Sequence, residues 1–416
     1  MVYAMEFPER LRALMAERGI SERELARHAH CDRSYVHLLK QGKRRAGRRM
    51  AQLLDDALGA GGGLAALAEP PPMPRTRAAA QRKPSRAVEA VQVAMAGDVA
   101  ELDIARDGLS ELVSHYADVV AIAPSAAMYE ELLRVRSFAG SLLGNASRRR
   151  DSDLIVTAGW LSSLLAISAA DIGDPAAALV WCSDTERRGR EARFPELLGW
   201  AAFTRALIAY YRGDPHRSAN AARSGQLHAP AGSVVHAKLA AQEMRSLAML
   251  GDAGGMAEAK RRAADALDSL GRPADMVGVY SIPYDEDPPY TATSLLLVKK
   301  YRDAGETARR LIETASGIQS QAPGDRPTNY ARMLLILGLA AAGLGEMDEA
   351  AAAGATALEC GRVVWPTMVL AGRLDRSLTH KAPGAARTAD YHGRYIDAAT
   401  RLALPASRSQ SSGGHA

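Results

Sequence analysis

At 416 residues the chain is too long for one ordinary core, so two or more units are expected. Hydrophobic residues make up 47% and aromatics only 5%, with abundant alanine, which favours packed helices over sheets. The net charge of +5 is small, and Cys31, Cys182 and Cys360 are too scattered for a disulfide framework or a paired metal site.

The first predicted element follows from Phe7, Leu11 and Leu14, which recur at i, i+4 and i+7 and give a helix one apolar face up to Gly19. Charges interrupt every apolar run before it, so no signal peptide is expected. Ser21-Glu22-Arg23-Glu24 then forms a capping box: the serine hydroxyl can accept from the Glu24 amide while the Glu24 carboxylate reaches back. Leu25 and Ala26 supply the inward face of that helix. A third helix opens at Asp32, a good N-cap, turns Val36 and Leu39 inward and ends at Gly42; a fourth runs from Arg48 to Leu58.

Residues 1–58 hold 12 Lys/Arg and 8 Asp/Glu, whereas the remainder is nearly balanced. Lys40, Lys43, Arg44, Arg45, Arg48 and Arg49 fall within ten positions with no acid among them. A polyanion partner explains that run, and so does a solvated charged face; charge alone does not choose. His28, His30 and Cys31 lie close together but are too few for a zinc site, so no metal and no cofactor is expected.

Gly59-Ala60-Gly61-Gly62-Gly63 follows a helix with no strand before it, which predicts a hinge rather than a phosphate cradle. Pro70, Pro71, Pro72 and Pro74 then cannot continue a regular element, so 69–86 is expected to be an extended, basic linker between a 1–68 head and an 87–404 helical domain. Two helices are predicted at about 98–121 and 126–147. After them a turn recurs: Gly173-Asp174, Gly213-Asp214, Gly251-Asp252 and Gly345-Glu346, with a weaker match at Asp303, at separations of 40, 38, 52 and 42 residues. An alanine-rich helix precedes each turn and an amphipathic one follows, which is the mark of stacked helix pairs. The longest gap contains Ser281 to Tyr290, read as an inserted loop with an acidic aromatic stretch. The apolar runs, such as Met333 to Leu344, are shorter than a membrane span, and the tail 405–416 is polar.

Residues 7–58 resemble the helix-turn-helix of the phage-repressor-like (Xre) family. The resemblance rests on Glu24-Leu25-Ala26, Arg33-Ser34-Tyr35-Val36 and Gly42-Lys43. It implies that the helix opening at Asp32 enters the major groove and that Ser21 sits at a phosphate. The chain departs from the family at Glu22, often a glutamine; at Leu38, often polar; and at His30, often glycine. Residues 90–400 resemble tetratricopeptide repeats, most clearly at 334–358, where Leu337, Gly338, Ala350 and Ala357 hold the small and apolar positions. The implied fold is all-α: a helix-turn-helix head on an α-solenoid of tetratricopeptide-like hairpins. The implied function is ligand-controlled transcription in the cytoplasm, on double-stranded DNA and usually as a homodimer.

In that frame Arg33, Ser34 and His37 are the candidate base readers, Arg33 first because its fork matches the O6 and N7 acceptors of guanine. Lys43 and Arg44 should meet phosphates, and Tyr35 a phosphate or the adjacent helix. Inward-facing Tyr210, Lys238, Gln242, Arg245 and Tyr290 are the candidate effector site, for a peptide, small molecule or protein. Asparagine, the usual clamp for an extended peptide, occurs only at 145, 220 and 329. No GxxxxGK, GxSxG or HExxH stands in the chain, so no enzyme is expected. The competing reading is a protein-interaction adaptor with a decayed helix-turn-helix.

Overall fold

A computed structural model describes residues 7–29, 31, 33–43, 46, 48–67, 85–96, 101–144, 151–270, 278–282, 287–316, 328–360, 362 and 364–403. Among these residues there are nineteen α-helices, two short 3-10 turns and no strand. The chain divides into two compact units that part near residue 76.

The N-terminal unit holds α1 (Phe7–Arg18), α2 (Glu22–His28), α3 (Arg33–Lys40) and α4 (Arg48–Leu58). Leu11, Leu14, Leu25, Val36, Leu39, Leu54 and Leu58 meet in one core, as their spacing requires. Ser21 and Glu24 form the expected capping box. His30 and Asp32 lie outside the described residues.

The glycine-rich segment is not the expected hinge. Asp55, only 1% exposed, accepts hydrogen bonds from the backbone amides of Gly62 (2.7 Å), Leu64 (2.6 Å) and Ala65 (2.8 Å). Burial pushes the Asp55 pKa up, but the three amides outweigh it and hold the carboxyl below its ordinary value. Gly61 and Gly62 supply the positive φ that wraps the chain around it. The Gly62 amide, and those of Leu64 and Ala65 just past the run, are therefore taken by the protein's own carboxylate.

The second unit contains α5 (Ser85–Met95), α6 (Glu101–Val119), α7 (Ser125–Gly144), α8 (Ser152–Asp171) and α9 (Pro175–Glu191). It continues through α10 (Pro195–Tyr211), α11 (Pro215–Gln226), α12 (Val234–Leu250), α13 (Ala253–Asp268) and α14 (Thr291–Leu297). It ends with α15 (Tyr301–Ser316), α16 (Thr328–Leu344), α17 (Met347–Glu359), α18 (Trp365–Lys381) and α19 (Ala386–Ala403). The expected linker lies outside the described residues as far as Pro84, and Ser85 already begins α5. The tail from 405 also lies outside them.

The recurring turn has a local cause. Gly173, Gly213, Gly251 and Gly345 all take positive φ and end a helix. Asp174, Asp214 and Asp252 then cap the next helix, each accepting from the amide three residues on at 2.9 Å. Asp303 does not belong to this series: it lies inside α15, and Lys299 takes the positive φ of the preceding turn. Close approach within a pair shows at Gly338, where an added Cβ would stand 2.9 Å from the Ala350 carbonyl oxygen.

One helix is longer and more apolar than the sequence reading allowed. α8 has the length and mean hydropathy (1.5) of a membrane-crossing segment, but most of it is buried, and Leu154, Leu161, Leu164 and Leu165 are fully enclosed. Two long-range devices add to the stacking. Tyr280, just before the expected insertion, packs its ring edge-on against Trp160 and Trp200, 4.7 Å from each. Arg362, 7% exposed, donates to the carbonyls of Ala123 (2.8 Å) and Ala121 (3.2 Å) and to Asp171 (2.7 Å). A simple solenoid touches only neighbouring repeats. Here the α17–α18 connection reaches the α6–α7 turn, 239 residues away in sequence.

Candidate nucleic-acid interface

The apolar residues of α3 point inward, with Val36 and Leu39 fully buried, and this leaves Arg33, Ser34 and His37 exposed. Arg33, His37 and Lys40 recur at i, i+4 and i+7, so they share one outward stripe. Tyr35 is only 7% exposed and its ring packs in the core of the head. Lys43 is exposed just past Gly42. Arg44 lies outside the described residues, as do the side chains of Arg48 and Arg49.

Glu22, in the first turn of α2, gathers this stripe. Its carboxylate accepts from Lys40 Nζ at 2.8 Å and from His37 Nδ1 at 3.3 Å, and stands 3.8 Å from Arg33 Nε. The Lys40 hydrogen bond is the strongest influence on Glu22 and, against the opposing effect of burial, holds its pKa below the ordinary value. The Gln41 side-chain amide lies 2.7 Å from His37 Nε2. If it donates there, the neutral ring presents its Nδ1–H to Glu22. A carboxylate that would repel a phosphate when bare is thus covered by three basic side chains. Ser21 is committed locally: its hydroxyl donates to Glu24 at 2.7 Å and accepts from the Glu24 amide at 3.3 Å. The sequence reading placed Lys40 in the basic run but not in the site, and missed Glu22 as its organiser. Their spacing of eighteen residues crosses the turn between α2 and α3, where helix periodicity carries no information.

In the second unit Tyr210, Gln242, Arg245 and Tyr290 meet, on α10, α12 and the start of α14, while Lys238 of α12 contacts Val279 and Trp200 instead. The expectation of an open inner surface needs correction, because Tyr210 and Gln242 are 0% exposed and Arg245 is 2% exposed. The Arg245 guanidinium is sandwiched between the rings of Tyr210 and Tyr290, 4.0 Å from each. Gln242 donates to Ser218 at 3.0 Å and accepts from Arg245, so it serves the packing. Lys238 donates to the Val279 carbonyl at 2.7 Å and lies over Trp200 at 5.2 Å. Burial, with help from Arg332, pushes the Lys238 pKa down to about 7. Arg373 of α18 approaches the Tyr210 ring at 5.8 Å.

No curated protein matches the chain. Residues 6–68 match the family model described as a helix-turn-helix domain, a stretch that contains α1 to α4 and the Asp55 turn, so the N-terminal unit is a helix-turn-helix domain.

Proposed function

We propose that the chain is a sequence-specific transcriptional regulator of the Xre type that places α3 in the major groove of double-stranded DNA. The helix-turn-helix match supports DNA binding. The observation that carries the finer reading is the outward stripe of α3, where Arg33 keeps 71% and His37 52% of its side chain exposed beside Lys40. Phosphate contacts from Lys43 and its neighbours would supply affinity, and Arg33 would supply discrimination. The second unit, which resembles tetratricopeptide arrays, would hold two chains together and respond to an effector. A dimer would read half-sites about one DNA turn apart. The working compartment would be the cytoplasm, and the chain would carry no catalytic activity.

Selection of bound duplexes from a random pool at fixed salt tests this directly. On the selected site, Arg33→Ala should lose roughly 1–3 kcal/mol of discrimination at one base pair. Lys43→Ala should weaken all duplexes alike and reduce the log–log salt slope by about 0.9. Unchanged binding by both variants would show that α3 is not the recognition helix.

A further inference from the structure

A cleft of about 680 Å³ opens between α6 and α8, a volume within the range of small-molecule sites. Helix period builds its two walls. Asp103, Arg106, Asp107 and Ser110 fall on one face of α6, and Asp153, Val156 and Thr157 on one face of α8. Phe194, just before α10, completes the lining, and the Trp160 ring stands edge-on to it at 6.2 Å.

The charge of this lining is one-sided. Its cation, Arg106, is fully engaged: it donates to Asp103 at 2.7 Å and, through Nε at 3.1 Å, to Asp151, the N-cap of α8. Asp107 and Asp153 are exposed and have no ion pair among the described residues. Exposed carboxylates are common on any surface. The buried part of the lining is less ordinary. Thr157 is 9% exposed, and its hydroxyl has no hydrogen-bond partner among the described residues. A buried helical hydroxyl ordinarily bonds the carbonyl four residues back, as Ser162 does to Ala158 and Thr185 to Trp181. Thr157 makes no such bond and keeps its oxygen for the cleft.

We propose that this cleft binds a short alkyl diamine. One ammonium donates to Asp153 and the Thr157 hydroxyl, one turn apart on α8, and the other to Asp107 on α6. The carbon chain lies against Val156 and Phe194. An ammonium carries three donors and no acceptor, which suits a lining of carboxylates and a hydroxyl oxygen, and such charge-assisted bonds are the stronger ones. A metal ion suits the cleft less well, because no three acidic, His or Cys side chains among the described residues stand close enough to hold one. Carboxylates spread over two helices match two charges on a chain instead. The site deepens the reading of an effector-responsive array and rests on it only for a regulatory consequence.

The test titrates the full chain with putrescine, a four-carbon diamine, near neutral pH, where both amines are charged. Sodium chloride holds the ionic strength constant, and thermal unfolding is followed. At about ten times the dissociation constant the midpoint should rise by about 2 °C. The rise should be lost in the double variant Asp107→Asn/Asp153→Asn and kept in Glu258→Gln, an exposed acid on α13. Matching helical circular dichroism shows that the double variant is folded. Thr157→Val removes the hydroxyl with little change of shape and should weaken putrescine binding roughly tenfold. No rise with putrescine or the longer spermidine overturns the site. So does an equal rise in the double variant, unchanged binding by Thr157→Val, or an equal rise with magnesium chloride at the same ionic strength. DNA affinity of the wild type and the double variant, each with and without putrescine, judges the regulatory reading separately, since binding of the amine to DNA itself is common to both. A putrescine-dependent midpoint with no difference in DNA affinity keeps the cleft as a site and removes it as a sensor. Failure of both proteins to hold any duplex rejects the DNA-binding reading and leaves the cleft standing.

Discussion

The two units each gather basic side chains, but they treat the charge in opposite ways. In the head, Arg33, His37 and Lys40 are largely at the surface and share one carboxylate, Glu22. Such pairs are weak and screened, so a phosphate can displace Glu22 at little cost. In the second unit, Arg245 is almost fully enclosed between two tyrosine rings, and Lys238 gives its ammonium to the Val279 carbonyl. There burial works against the charged form, and it pushes the Lys238 pKa down to about 7. The same residue types therefore make a readily released surface in one unit and a packed interior in the other, and exposure decides which.

The sharpest way to break this contrast is to remove a buried cation that is matched. Arg362 joins Asp171 to two carbonyls of the α6–α7 turn, and Arg362→Ala leaves all three acceptors without it. Urea unfolding of the second unit should show a loss of roughly 3–5 kcal/mol; a loss within error would mean that the closure across the array is incidental. The next effect is pH-dependent. Lys238 falls from 10.5 to about 7 on folding, so between those values the unfolded chain binds more protons than the folded one. Its penalty is full below pH 7 and fades as pH rises through that window. Lys238→Met removes the titration, so its stability relative to wild type should improve by roughly 2 kcal/mol between pH 9 and pH 7, at about 1.36 kcal/mol per unit. A difference that stays flat with pH would mean that the amine is not desolvated. The smallest effect concerns the head. Glu22→Gln releases the cations of Arg33 and Lys40 and the His37 ring, and affinity for every duplex should rise a few-fold at low salt, under about 1 kcal/mol, while discrimination at the Arg33 position narrows. A fall in affinity would mean that Glu22 positions the cations for DNA rather than restraining them.

Much of the fold was legible because it is written in short windows. The Ser21–Glu24 box and the glycine–aspartate turns act over four residues, and the helices stop and start where those residues stand. The apolar period of α1 and α3 likewise named Leu11, Leu14, Val36 and Leu39 as core. Where the reading slipped, a distant partner had intervened. Gly59 to Gly63 looked like a hinge, but Asp55 holds the Gly62 amide and those of Leu64 and Ala65 just beyond. Asp303 looked like a fifth turn, although the turn is made at Lys299. Tyr210, Gln242 and Arg245 looked like an open inner face, and three helices close over them.

The sequence by itself determined an all-α chain, most of its helix ends, the helix-turn-helix register and the stripe that α3 presents. Caps, helix period and positive-φ glycines depend on neighbours three or four positions away, so they can be read without a fold. Only the tertiary structure decided that Glu22 holds the α3 cations, that Tyr280 wedges between two tryptophans, and that Arg362 closes the array. It also decided that Arg245 lies between the rings of Tyr210 and Tyr290. Those are meetings between residues far apart in the chain, and their energies depend on burial, which no local pattern records.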